Sequence, residues 1–265
     1  MTGGRFALFG EVLLTGVMVF VLSLPVLTLP AALVAGIRHL RRFTNGEGSS
    51  VAGLWRDFRD ALWGGVGVAL VALFGAAAAL NPLCLALSPL AVAPLVIYPY
   101  GKRFTNWPHA ILGLAQMVAP VGAWLAVTGT FAGSWPAWVL GVAVGLWIGG
   151  FDLIYASQDA EVDRRIGVHS VPARYGVRFA LRLSTAAHVV TFALFIWYGE
   201  LVGFGWPWWT GLAATAVAFG YQHIVVTPGD LSRVNRAFFT ANGFVGIALF
   251  AFALVDLVVR LGLRR

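Results

Sequence analysis

The chain has 265 residues, of which 59% are hydrophobic and only 11% charged, less than half the charged share of a soluble globular domain, about 25%. That balance excludes an ordinary water-soluble fold, and the long apolar runs indicate spanning helices rather than barrel strands. The net charge of +7 sits in loops between those runs, which fits membrane topology rather than nucleic-acid binding. A single cysteine, Cys84, leaves no internal disulfide and no Cys-based metal cluster.

Charge-poor stretches of about 20 residues predict the spans. The first covers 12–37, either one span with bend signals at Pro25 and Pro30 or a re-entrant pair; its length exceeds a signal-peptide core. Residues 50–63 place Val51, Leu54, Trp55, Phe58 and Leu62 on one face, which predicts a short amphipathic helix in the interface. The uncharged run that follows is too long for one helix and breaks at Asn81-Pro82, giving spans at 64–80 and 83–100. The next divides at Gly133-Ser134-Trp135-Pro136 into 110–131 and 137–157. Spans at 180–199, 208–226 and 238–259 complete an all-α polytopic bundle of about eight helices.

Basic residues fall on alternate connections. Loops 38–63, 101–109, 158–182 and 227–237 carry five, two, five and two, whereas 81–82, 132–136 and 199–207 carry none. The positive-inside rule places the basic loops in the cytoplasm of a bacterial-type plasma membrane, leaving Arg260, Arg264 and Arg265 as a mild exception outside. Trp135, Trp138, Trp206, Trp208 and Trp209 fall at the outer ends, as an aromatic belt would.

Chemistry concentrates in two of the basic loops. In "FDLIYASQDAEVDRRIGVHSVPARYG", residues 151–176, Asp159 and Asp163 are four apart, and Asp152 lies seven residues before Asp159. On a helix these share roughly one face. Carboxylates at a helix end suit Mg²⁺, which takes one or two of them and completes its shell with phosphate and water. Asp152 lies a few residues inside the apolar boundary and needs a partner or a cavity. The ordinary alternative is a solvated loop in which Asp159, Glu161 and Asp163 pair with Arg164 and Arg165. The second loop, "YPYGKRFTNWPH" at 98–109, offers Lys102 and Arg103 as diphosphate-neutralising cations and Tyr98 one helical turn away. Its ordinary alternative is a positive-inside loop with an interfacial tyrosine. Acids and cations on one side of an apolar body suit a substrate with a diphosphate head and a hydrocarbon tail.

Other polar residues carry less. Gln116 and Asn242 lie within spans and could join helices or line a cavity. His188 and His223 lack metal-ligand spacing and are expected to be structural. Asp256 with Arg260 four residues on is expected to be an ion pair.

From about Gly64 onward, these segments, together with "YQHIVVTPGDLSRVNRAFFTANGFVGIALF", resemble the UbiA superfamily of intramembrane aromatic prenyltransferases. The most specific element is D-x-x-Y-A-x-x-D-x-x-x-D, met by Asp152, Tyr155, Ala156, Asp159 and Asp163. "GVHSVPARYG" is most similar to the 4-hydroxybenzoate and menaquinone-pathway branches. The resemblance implies that Asp159 and Asp163 bind Mg²⁺ and act with Lys102 in catalysis. It also implies that Tyr98, Lys102, Arg103, Asp152, Tyr155 and Asn242 bind substrate, and that the substrates are a polyprenyl diphosphate and an aromatic acceptor. The family's first aspartate-rich motif, N-x-x-x-D-x-x-x-D or similar, is absent: Asn45 precedes Gly-Glu-Gly, and Asp57 and Asp60 are three apart. Catalysis that depends on that motif would be impaired, so a non-catalytic protein binding isoprenoid or quinone lipids stands as the alternative. Residues 7–62, with "LPVLTLPAA" and the amphipathic segment, resemble instead the N-terminal part of YesL-like membrane proteins. The expected organisation is therefore an atypical membrane segment over 1–63 joined to a UbiA-like body over 64–265.

Overall fold

Residues 28–47 and 50–263 are described by a computed structural model, and their apolar runs are helices; no β-strand occurs among them. The chain divides into two compact units, the first ending at Asn81 and the second beginning at Pro82. Proline lacks the N–H a continuing helix would need and restricts the residue before it. The break expected at this dipeptide is thus also the boundary between units.

In the first unit, α1 (Leu29–Thr44) begins with Pro30 in its first turn, where a missing N–H costs nothing. Pro30 therefore sits in the opening turn of this helix. Most of the expected span 12–37 lies outside the described residues. Helix α2 (Val51–Leu80) is capped by Ser50, whose Oγ accepts from Gly53 N at 3.0 Å. The amphipathic segment expected at 50–63 does not end there but runs unbroken into the apolar stretch, because no proline interrupts 51–80. Ala31, Ala32 and Ala35 of α1 pack against Phe58 of α2, and Arg42 pairs with Asp57.

The second unit holds α3 (Pro82–Ile97), a 3₁₀ turn (Tyr98–Arg103), α4 (Pro108–Thr128) and α5 (Trp135–Ala156). A 3₁₀ turn (Ser157–Asp159), α6 (Ala160–Ile166) and α7 (Val171–Tyr175) lead into α8 (Val177–Val202). Helix α9 (Trp206–Val225), a helical turn (Val234–Arg236) and a π-turn (Ala237–Ala241) precede α10 (Asn242–Leu263). Helix α5 packs on α4 and α8, and α9 packs on α10. Close approach of α4 and α5 requires glycine: a Cβ on Gly113 would lie 2.6 Å from the Gly145 carbonyl oxygen. Small residues at such crossings let two apolar helices pack in lipid. The core gathers Ala143, Phe195, Trp208, Leu212, Phe219 and Val245.

Six helical segments among the described residues are long and apolar enough to cross a membrane: 51–80, 82–103, 108–128, 135–166, 177–202 and 234–260. Helix α9, also expected to span, has 20 residues, but its tryptophans and the pair Gln222 and His223 dilute its hydropathy. Side chains such as Val127 and Val217 point outward from the bundle, as a lipid-facing surface demands.

Candidate active site

Two loops distant in sequence meet at one end of the second unit. Pro94 lies within α3 and Pro99 in the 3₁₀ turn that carries Lys102. After α5, the chain tightens into a 3₁₀ turn at Asp159 and continues as α6. Helix α6 ends at Gly167, whose φ of +75° sends its N–H back to the Asp163 carbonyl; glycine adopts that conformation without a Cβ penalty. His169 N then donates to the Lys102 carbonyl at 2.7 Å, tying the loops together.

At their junction the Lys102 ammonium donates to both carboxylate oxygens of Asp163, at 3.0 and 2.9 Å, and lies 3.9 Å from Asp159. Ser170 Oγ donates to Asp163 at 2.8 Å while accepting from Ala173 N at the start of α7. Asp163 is 4% exposed, so its charge is held by charge-assisted hydrogen bonds instead of water. Asp159 is 44% exposed at its side chain and remains open to an incoming ligand. The solvated-loop alternative describes Glu161, which pairs with Arg165 on the surface at 3.4 Å. It does not describe Asp163, which points the other way. Among the described residues no third carboxylate, histidine or cysteine joins Asp159 and Asp163 as a metal-binding cluster. Two carboxylates, one of them accessible, still match what Mg²⁺ takes from a protein when phosphate oxygens and water fill the rest of its shell.

Asp152 is elsewhere. It lies two helical turns before Asp159, about 10 Å along the axis, and accepts from His109 Nδ1 at 2.6 Å. Tyr98 is close enough to feel the Asp152 charge. His109 and Ser170 do not stand out in the sequence. A signal exists for His109: an acid inside the apolar boundary needs a partner, and the first turn of a neighbouring helix can bring one.

The remaining expected residues fall in different places. Tyr155 packs on Phe238 with ring centroids 4.5 Å apart, continuing an aromatic strip from Trp147 through Phe151 on α5. Asn242 accepts from Trp147 Nε1 at 3.0 Å and donates to the Phe238 carbonyl at 2.8 Å. It thereby holds the π-turn against that strip. Arg103 is exposed and lies over the Tyr100 ring at 5.6 Å. Asp57 is paired with Arg42. His188 stacks on Phe219 and meets Gln222 at 2.7 Å and His223 at 2.8 Å, a buried polar link between helices. Asp256 pairs with Arg260, as their spacing predicts, and also accepts from Gly205 N at 2.6 Å.

Comparisons with known proteins identify the family. The profile of the UbiA prenyltransferase family matches residues 56–244. The 4-hydroxybenzoate octaprenyltransferase of Alkalilimnicola ehrlichii is 36% identical over 199 residues, covering 75% of this chain and 66% of that protein. The 4-hydroxybenzoate solanesyltransferase of a Synechocystis species is 34% identical over 191 residues, covering 71% and 64%. The chain thus spans just under two thirds of the length of these relatives. The apo structure of a UbiA homolog from Aeropyrum pernix K1 is similar with a TM-score of 0.65 and 25% identity, covering 93% of this chain and 98% of that one. The chain belongs to the UbiA prenyltransferase family.

Proposed function

We propose that the protein transfers a polyprenyl group from its diphosphate to an aromatic acceptor of the hydroxybenzoate or naphthoate type, a step of quinone biosynthesis. The observation that carries this reading is the convergence of Lys102 with Asp159 and Asp163 from separate loops. Asp159 and Asp163 would hold Mg²⁺, which supplies charge neutralisation to the departing diphosphate. Lys102, which donates to Asp163 here, would turn its ammonium to the diphosphate oxygens, and Tyr98, in the same turn, offers a hydroxyl. The allylic C–O bond then breaks with both electrons leaving on the diphosphate. A ring carbon of the acceptor forms the new C–C bond, and the ring proton passes to the released diphosphate, which restores aromaticity. Tyr155, Phe151 and Trp147, at four-residue spacing on α5, offer an apolar wall for the prenyl chain as it leaves the charged end. The basic loops, and with them this site, face the cytoplasm.

A second reading, binding of isoprenoid or quinone lipids without turnover, draws on one observation. Asp57, one of the two aspartates in the segment that lacks the family's first aspartate-rich motif, is already paired with Arg42. The test is prenyl transfer in vesicles containing the protein, with labelled polyprenyl diphosphate, Mg²⁺, hydroxybenzoate and naphthoate acceptors, and Asp163→Asn as control. Lipid-soluble product that disappears with chelator and in the variant supports transfer. Mg²⁺-dependent diphosphate binding with no product from inserted protein supports the binding-only reading.

A further inference from the structure

Asp152 and His109 form a pair that the charged end of the site does not use. The His109 ring is 3% exposed, on the first turn of α4, where its own carbonyl sits against Gly149 of α5. A carboxylate only accepts, so Nδ1 carries the proton in its 2.6 Å bond to Asp152, and in the neutral ring Nε2 presents a lone pair. That Nε2 is buried and has no hydrogen-bond partner. Leaving a buried acceptor unpaired is costly, and buried polar atoms are nearly always satisfied. For the neutral ring the missing partner is a donor, and a ligand bearing an O–H supplies one.

We infer that His109 Nε2 is the docking point for the phenolic hydroxyl of the aromatic acceptor, with Asp152 as the positioning residue that fixes the imidazole tautomer. This rests on the prenyl-transfer reading and adds to it the group that selects a free phenol. The placement suits that role. Asp152, on α5, lies about 10 Å before Asp159, on the apolar side of the charged end, where the allylic carbon of a docked prenyl diphosphate would lie. A hydroxyl held there sets the adjacent ring carbon beside the carbon it attacks. Accepting the O–H hydrogen bond also raises electron density on the ring. Catalytic effect and specificity thus come from one contact. A site built to bond a hydroxyl strongly rejects the analogue that lacks it.

The experiment is equilibrium binding to the whole chain in detergent or nanodiscs, so that turnover is not required. Labelled 4-hydroxybenzoate and 4-methoxybenzoate are compared in the presence of Mg²⁺ and a non-hydrolysable prenyl thiolodiphosphate. The intact protein should bind the phenol at least about tenfold more tightly than its methyl ether. His109→Ala should bind both alike while retaining thiolodiphosphate binding. Asp152→Asn should narrow the preference without abolishing diphosphate binding. Equal affinity of the intact protein for phenol and ether, binding of neither, or a preference that survives in His109→Ala overturns the inference. His109→Gln provides a second variant should the alanine form not fold, and the comparison within the intact protein stands without either. Failure of the transfer reading appears separately, as absence of prenylated product in the vesicle assay with labelled polyprenyl diphosphate and 4-hydroxybenzoate.

Discussion

The Asp163 carboxylate has three hydrogen bonds and almost no water, so each partner contributes measurably. Ser170→Ala removes one charge-assisted bond and the cap of α7 together, an expected loss of about 2 kcal/mol. Thermal unfolding in detergent should show it, and an unshifted midpoint would remove Ser170 from this account. Lys102→Met leaves the carboxylate buried without its cation and should destabilise more than Ser170→Ala, although the lysine's 36% exposure moderates the effect. For chemistry, Asp163→Asn should reduce prenyl transfer by about 10²–10³, the usual consequence of losing one preorganised charged group. Glu161→Gln, on the surface and paired only with Arg165, should leave transfer within about twofold, since exposed pairs contribute little. Similar rates in the two variants would mean that the inward turn of Asp163 has no catalytic purpose.

Among the helices, the α4–α5 crossing sets the geometry that the site depends on, because α4 carries His109 and α5 carries Asp152. Gly145 faces the Gly113 carbonyl, with only 2.8 Å available for a Cβ. Gly145→Leu should therefore force the helices apart, costing about 1–3 kcal/mol or more. Gly122 on the same α4 has open space for 4 Å around the point where a Cβ would sit, and no positive φ. Gly122→Ala should be neutral or stabilising by about 0.4–1 kcal/mol. Unfolding of the two variants side by side in mixed micelles checks the contrast, and equal behaviour would contradict the packing described.

For the whole molecule, orientation is the property that the charge pattern predicts. With Cys84 replaced by serine, single cysteines at exposed Ile166, in the site loop, and at Ala132, on the opposite class of connection, should react with an impermeant maleimide from opposite sides of oriented vesicles. Labelling of both from one side would overturn the assigned topology. Arg260, which counts against the positive-inside rule, is not a free charge: it is paired with Asp256 and lies 4.7 Å from the Phe204 ring centroid. A cation engaged in this way weakens the exception.

Sequence by itself determined whatever is local or periodic. Runs without charge mark helices because lipid accepts no unpaired backbone, Asn81-Pro82 stops a helix because proline lacks an N–H, and four-residue spacing places Asp159 and Asp163 on related faces. That the two loops share one side of the membrane was legible from their basic residues, but the pairing of Lys102 with Asp163 was not. Tertiary structure decided which of several chemically similar residues points inward. Asp163 is buried while Glu161, two residues earlier, is solvated, and Asn242 is taken up by the π-turn. It also paired His109 with Asp152, 43 residues apart, and carried α2 through the place where a short helix was expected to end. These outcomes depend on which helices pack together and how closely, and no local periodicity encodes a contact between residues that meet only after the chain has folded.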